Sequence, residues 1–372
     1  MSVSRVVGEH RRISPFFAFF LIHCSIVGVG ILKFQKEIME PAGYDEWMSV
    51  LLAGATVHTL VWMMYYALNA SGTAADAVQA NEEHFGRWIG AALSAALVVY
   101  FLLAGFVIFR IFLEVLQVWL FPEINLYPLS VVLLILLYYI VSGGLRAVTG
   151  MSVWGMAVPY VLTVPLFFFA LKYLHPSNLL PVGMHSVQDI LASARYMVFP
   201  YLGFEAMLLL YPFFRRPAES HRWTQAGVGV ASALYLFVAL VTLMYYSEGQ
   251  LRHIIWPTLN IIMMIEVPVM QRLEYLVISA WLLRMVASVS ISLWAACRGA
   301  ARLWPVKRRV SLPAFLALYL ASLAWVGDRQ TIDWLARAYN ETGFWLMYGY
   351  IPAIFLFAWA KKRIRGRRRS SC

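Results

Sequence analysis

Charge is scarce in this chain. Only 13% of its 372 residues are Asp, Glu, Lys or Arg, while 61% are apolar. Soluble domains run near about 25% charged and about 45–50% apolar. A water-soluble chain of this size cannot hide so much apolar surface, whereas a chain set in lipid need not. Cysteine is scarce too. The 3 thiols, Cys24, Cys297 and Cys372, form no CxxC pair, which excludes a disulfide scaffold and a thiolate metal cluster. The 23 glycines follow no period, so a collagen-like chain is also excluded. The motifs GxSxG, HExxH and Walker Gly-Lys-Ser/Thr are missing, and no enzyme chemistry, metal or cofactor is expected. Basic residues Arg5, Arg11 and Arg12 precede the first apolar stretch, but no A-x-A cleavage site follows, so that stretch is expected to stay as a span.

What the chain has instead is apolar length. A bilayer span needs roughly 20 mostly apolar residues, and ten segments qualify as candidates: 14–38, 46–68, 88–120, 127–144, 147–172, 189–214, 224–246, 273–300, 311–327 and 343–360. Backbone groups in lipid must be paired internally, and runs such as Val131–Val141 are apolar on every face, so the spans are predicted helices. The predicted connectors are 69–87, 247–272 and the polar segment 328–342. Of the 30 Lys and Arg, 20 fall on one side if both termini are cytoplasmic, seven on the other, and Arg110, Arg195 and Arg284 within spans. That bias predicts a multi-pass protein with both termini in the cytoplasm. It also makes the basic tail 361–372 a topology and lipid-headgroup anchor. Nucleic-acid binding is not expected, because no folded domain or aromatic platform accompanies the tail.

Two interruptions stand out. The first span carries Gly28 and Gly30 near its middle, and glycine costs a helix about 1 kcal/mol against alanine. The sixth carries Pro200, then Gly203, then Glu205 in apolar surroundings. Dividing ten spans into halves of about 14–172 and 189–360 puts each interruption in the first helix of its half. Such paired breaks are the best sequence pointer to an inverted-repeat transporter fold with a midplane site. There, freed amides face an anionic group and unwound carbonyls face a cation. An amino acid has both groups. Close helix packing also uses small residues, and spacing alone leaves both readings open.

At these residues the chain resembles a known family: the integral-membrane B subunits of endospore germinant receptors, a branch of the amino acid–polyamine–organocation transporter superfamily. Three stretches carry the likeness. They are ISPFFAFFLIHCSIVGVGIL with EIMEPAGYDEWMSVLLAG, then YLGFEAMLLLYPFFRRP, then WPTLNIIMMIEVPVMQRLEYLVISAWLL, which includes Gln271-Arg272. The resemblance implies an all-α, ten-helix, LeuT-like bundle of 5+5 inverted repeats with broken first and sixth helices. It implies a spore inner-membrane location and a complex with a larger A-type membrane subunit and a C-type lipoprotein subunit. It also implies recognition of a small nutrient, often an amino acid, by a sensor on a transporter scaffold. A proton-coupled amino-acid permease is the alternative.

The candidate ligand residues follow. Gly28, Val29, Gly30 and Ile31 would take the carboxylate through backbone amides, and a branched side chain at Gly30 is expected to fill the ligand's space. Tyr201, Leu202, Gly203, Phe204 and Glu205 form the opposing break, whose carbonyls or carboxyl could take the ammonium. A neutral, hydrogen-bonded Glu205 is an equal reading. Arg284 is a candidate structural counter-ion for Glu205. Arg110 and Glu114, four apart, are expected to pair. His23 and His58 read as packing residues more readily than as a proton relay. Ser288 and Ser292 share a face of span eight and could line the cavity; Ser290 cannot share it.

Overall fold

The computed structural model describes residues 7–71, 75–264 and 272–370. Residues 265–271, which include Gln271 and the later part of connector 247–272, and Cys372 lie outside them. Among the described residues the chain is helical, with one isolated bridge, between Ile13 and Phe214.

Span one is broken into Ala18–Ile26, the short 3-10 turn Val29–Leu32 and Phe34–Ala42. Spans two to five are Glu46–Ala70, Ala77–Trp119, Leu126–Ser142 and Leu145–Thr163, the last continued by Leu166–Ala170. Span six is Val187–Tyr196 followed by Val198–Phe213, bent by 48°. Spans seven to nine are Ser220–Tyr245, Leu273–Leu303 and Arg308–Ser322. Span ten runs Arg329–Trp345, through a π-helical turn at Leu346–Tyr350, into Ile351–Ser370. Among the described residues six helices are long and apolar enough to cross a membrane, and the bent pair taken as one span makes a seventh. The remaining crossings are the half-helix Pro15–Ile26, the short Leu126–Ser142 and span nine, each part of the packed bundle.

The outside of the bundle is apolar. Trp88, Tyr139, Trp154, Val161 and Trp325 are all more than 60% exposed. In water so much exposed apolar surface would drive association. Here it forms the lipid-facing belt of an integral membrane protein. The inside is held by span eight, which is buried along most of its length and packs on spans three, five and one.

The structure corrects the predicted connectors. Segment 328–342 is helix, not loop. Asp328 caps it by accepting from the Thr331 amide at 3.0 Å. Ile332, Ala336, Tyr339 and Gly343 form its buried stripe, with Arg329, Asp333, Arg337 and Glu341 on the other faces. Amphipathic patterning lets a polar-looking segment form half a span. Residues 77–85, within the predicted connector 69–87, are also helical, ending at Gly86 (φ 78°). The described part of connector 247–272 folds into Glu248–Leu251 and Pro257–Met264. The basic tail continues the last helix to Ser370.

Arg110 and Glu114 do not pair with each other. Arg110 donates to the Val326 and Gly327 carbonyls at 2.7 and 3.1 Å, and Glu114 accepts from Arg329 at 2.8 Å. Both side chains serve the turn between spans nine and ten. Unpaired carbonyls beside the membrane need donors as much as a carboxylate does.

Candidate functional site

Span one stops being a helix at Val27 (ψ 86°) and Gly28 (ψ −144°), and resumes after Lys33. Ending a helix inside a membrane leaves carbonyls without amide partners. Four side chains from other spans meet them. Ser288 donates to the Cys24 carbonyl at 2.6 Å, and Tyr235 to that of Ile26 at 3.1 Å. Arg284 donates through Nη1 to the Val27 carbonyl at 3.1 Å, and Trp281 through Nε1 to that of Gly28 at 3.4 Å. Three of the four sit on span eight at 281, 284 and 288, the spacing that puts residues on one helical face.

Span six opens at Leu202 (ψ 142°) and Gly203 (φ 127°). A β-carbon at Gly203 would lie 2.8 Å from the Ser25 β-carbon and closer still to its carbonyl. Only glycine satisfies both that torsion and that approach. Glu205 bends back to accept from its own break: both carboxyl oxygens take the Gly203 amide, at 2.8 and 2.7 Å, and Tyr100 donates its hydroxyl to Oε1 at 2.6 Å. The Tyr235 hydroxyl also reaches the Pro200 carbonyl at 2.8 Å, so one phenol touches both breaks.

The predicted residues therefore come together in part. Gly28 to Ile31 form the unwound turn, where Gly30 packs on Phe199 and Pro200, and Gly203 and Glu205 lie beside Ser25 of the half-helix that leads into it. Ser25, Gly203, Glu205 and Ser292 line a space of about 10 Å³ with Phe101, Ile108 and Tyr339, near the minimum for one water. The bundle is closed around this point. Tyr201 turns away to donate to Ser232 at 2.8 Å, and Leu202 packs against Gly343. Phe204 is buried. Ser288 holds span one rather than open space, and Ser292 bonds the Ser288 carbonyl at 3.2 Å. Ile31 offers its carbonyl to Thr258 of the connector between spans seven and eight at 2.9 Å, and Gln35 donates to the same hydroxyl at 2.6 Å.

Two neighbouring glycines differ. A β-carbon at Gly30 would sit 3.3 Å from the Phe199 ring and from the Pro200 α-carbon, whereas one at Gly28 would meet nothing within 4 Å. Gly30 thus serves packing between the two broken helices, and Gly28 borders free space. Arg284 is not the counter-ion of Glu205. No ion pair joins them among the described residues, and each is bonded to a different break. His58 bonds Gln225, and the buried His23 ring stacks on Phe19. Sequence reading missed Tyr235, Trp281, Ser25 and Tyr100. Each looks like ordinary span composition, and only the tertiary fold brings it to a break.

This arrangement of two broken helices in a ten-helix bundle defines the class. A nucleobase-cation-symport-1 family transporter, MHP1, solved closed with bromovinylhydantoin, superposes with a TM-score of 0.63 at 12% identity, covering 93% of this chain and 79% of that one. A mutant of the Eremococcus coleocola manganese transporter gives 0.62 at 12% identity, covering 92% and 78%. The chain has the LeuT-like 5+5 transporter fold. Within that class it belongs to the spore germination protein family, whose model matches residues 12–332. The Bacillus cereus spore germination protein GerQB is 32% identical over 354 residues, 95% of this chain and 98% of that one. The Bacillus subtilis spore germination protein YndE is 20% identical over 285 residues, 76% and 78% of the two chains.

Proposed function

We propose that this permease-like germination protein is the nutrient-binding B subunit of a germinant receptor. It binds a small nutrient, an amino acid, between the breaks of spans one and six and passes the event to its partners. The observation that carries this is the pair of unwound turns, Gly28–Ile31 and Leu202–Gly203, brought together where Gly30 packs on Phe199 and Pro200 and Gly203 lies against Ser25. Amides at the start of Val29–Leu32 suit an anionic group, and carbonyls of the sixth-span break suit an ammonium. The small closed space at the centre fits a site that opens to admit its ligand. Both termini lie in the cytoplasm, the membrane is the spore inner membrane, and the partners are an A-type membrane subunit and a C-type lipoprotein. The two repeats take up about 14–172 and 189–360.

A proton-coupled permease is the second reading, favoured by solved neighbours that are named as transporters. Radiolabelled amino-acid uptake into proteoliposomes separates the two. The sensor reading expects binding without gradient-driven accumulation. Accumulation that collapses with the proton gradient would establish the permease instead.

A further inference from the structure

Arg284 is fully buried, and its guanidinium is only partly used. Nη1 donates to the Val27 carbonyl at 3.1 Å. No protein group among the described residues accepts from Nε or Nη2. These two N–H groups lie along one edge of the guanidinium and point the same way, which is the edge that grips a carboxylate with two parallel bonds. The plane is held on its faces as well. The Tyr160 and Trp281 rings lie 5.6 and 5.4 Å from the guanidinium carbon. A free edge on an oriented plane is a preformed receptor.

The surroundings point the same way. No carboxylate forms an ion pair with Arg284 among the described residues, and Glu205 of the sixth-span break is bonded to the Gly203 amide and Tyr100. The negative end of half-helix Ala18–Ile26 offsets part of the charge, but a helix end carries only about half an elementary charge. A buried cation that is not otherwise compensated calls for an anion. One further polar group nearby has no partner among the described residues: the Tyr160 hydroxyl, whose ring lies 5.4 Å from that of His23. Gly28, next to the Val27 carbonyl that Arg284 holds, borders open space.

We propose that Arg284 is the receptor for the anionic group of the ligand, so that the site takes a small carboxylate and holds it through Nε and Nη2. This rests on the midplane binding site proposed above and changes its chemistry. The anion is read by a side chain of span eight rather than by the span-one amides alone. Arg284 also fills, with its own charge, the end of the first half-helix where a free cation would otherwise be drawn.

The test is thermal stability of the purified full chain in lipid nanodiscs. The probes are glycine, L-alanine, acetate and propionate, each beside its amide. At least one acid should raise the unfolding midpoint and its amide should not. Arg284→Gln, which removes the charge and the two-pronged edge but keeps a polar amide, should fold and lose that shift. Arg284→Lys keeps the charge but not the two-pronged edge, and should weaken the apparent affinity at least tenfold. The inference is overturned if no acid shifts the midpoint, if an amide matches its acid, or if Arg284→Gln responds like the unaltered protein. The acid–amide comparison needs no variant, so a poorly folding Arg284→Gln leaves it decisive. An amide that stabilises the unaltered and Arg284→Gln proteins but not Gly28→Val would keep the midplane site and discard the anion receptor.

Discussion

Gly203 lies against Ser25 so closely that no side chain fits between the broken sixth helix and the end of the first half-helix. The contact joins the two interruptions into one unit, and it can be tested by substitution. Gly203→Ala forces a methyl group into the Ser25 backbone at a torsion of 127° that L-residues avoid. Strain of this kind costs about 1–3 kcal/mol before the clash is added. The expected result is a lower unfolding midpoint and less protein in the membrane. An unchanged midpoint would mean that the two helices part without cost.

Glu205 caps its own break, and removing one of its carboxyl oxygens should loosen that break alone. Glu205→Gln leaves one oxygen in place of two to accept from the Gly203 amide and Tyr100. Leaving a buried donor without its acceptor costs about 1–3 kcal/mol, so a loss of that size is expected in denaturant unfolding. Tyr100→Phe should cost less when Glu205→Gln is already present. A double-mutant cycle that is additive would place the two groups in separate networks.

On the face that carries the chain ends, Asp76 is buried and clamps Arg298 and Arg302 of span eight at 3.0 and 3.1 Å. Asp76 also caps span three by accepting from the Gln79 amide at 3.2 Å. Asp76→Asn strands two cations that are mostly buried. It should destabilise the bundle by about 1.5–3 kcal/mol, and more at low than at high salt. Because asparagine can still accept from the Gln79 amide, a loss of stability that does not depend on salt would contradict the charge clamp as its cause.

The sequence made some of this legible and hid the rest for physical reasons. Both breaks could be read because glycine and proline act through the backbone, and backbone rules are local. The ten-span fold was legible because lipid demands long apolar helices. The first half of span ten was hidden because its charges lie outside a narrow buried stripe, Ile332, Ala336, Tyr339 and Gly343. Arg284 could be noticed as an intramembrane charge but was matched to the wrong partner. A carbonyl freed at Val27 carries no sequence signal, whereas a carboxylate at Glu205 does. Gly28 and Gly30 look equivalent in sequence, and only the position of Phe199 and Pro200 separates them.

The charge bias gives a topology prediction. Single-cysteine variants in 248–264 should react with an impermeant reagent added from outside intact cells, and variants in 301–310 should not. The reverse pattern would invert the bundle in the membrane and contradict cytoplasmic termini.

Gly28→Val tests the account most directly. A valine at Gly30 would press on Phe199 and Pro200, so a loss of response there would be confounded by loss of protein, whereas a β-carbon at Gly28 meets nothing within 4 Å. Spores carrying Gly28→Val should be measured for receptor level and for nutrient-triggered germination on the same preparation. A normal level with at least a tenfold weaker response is the predicted result. A normal level with a normal response would show that the space beside the first break holds no ligand.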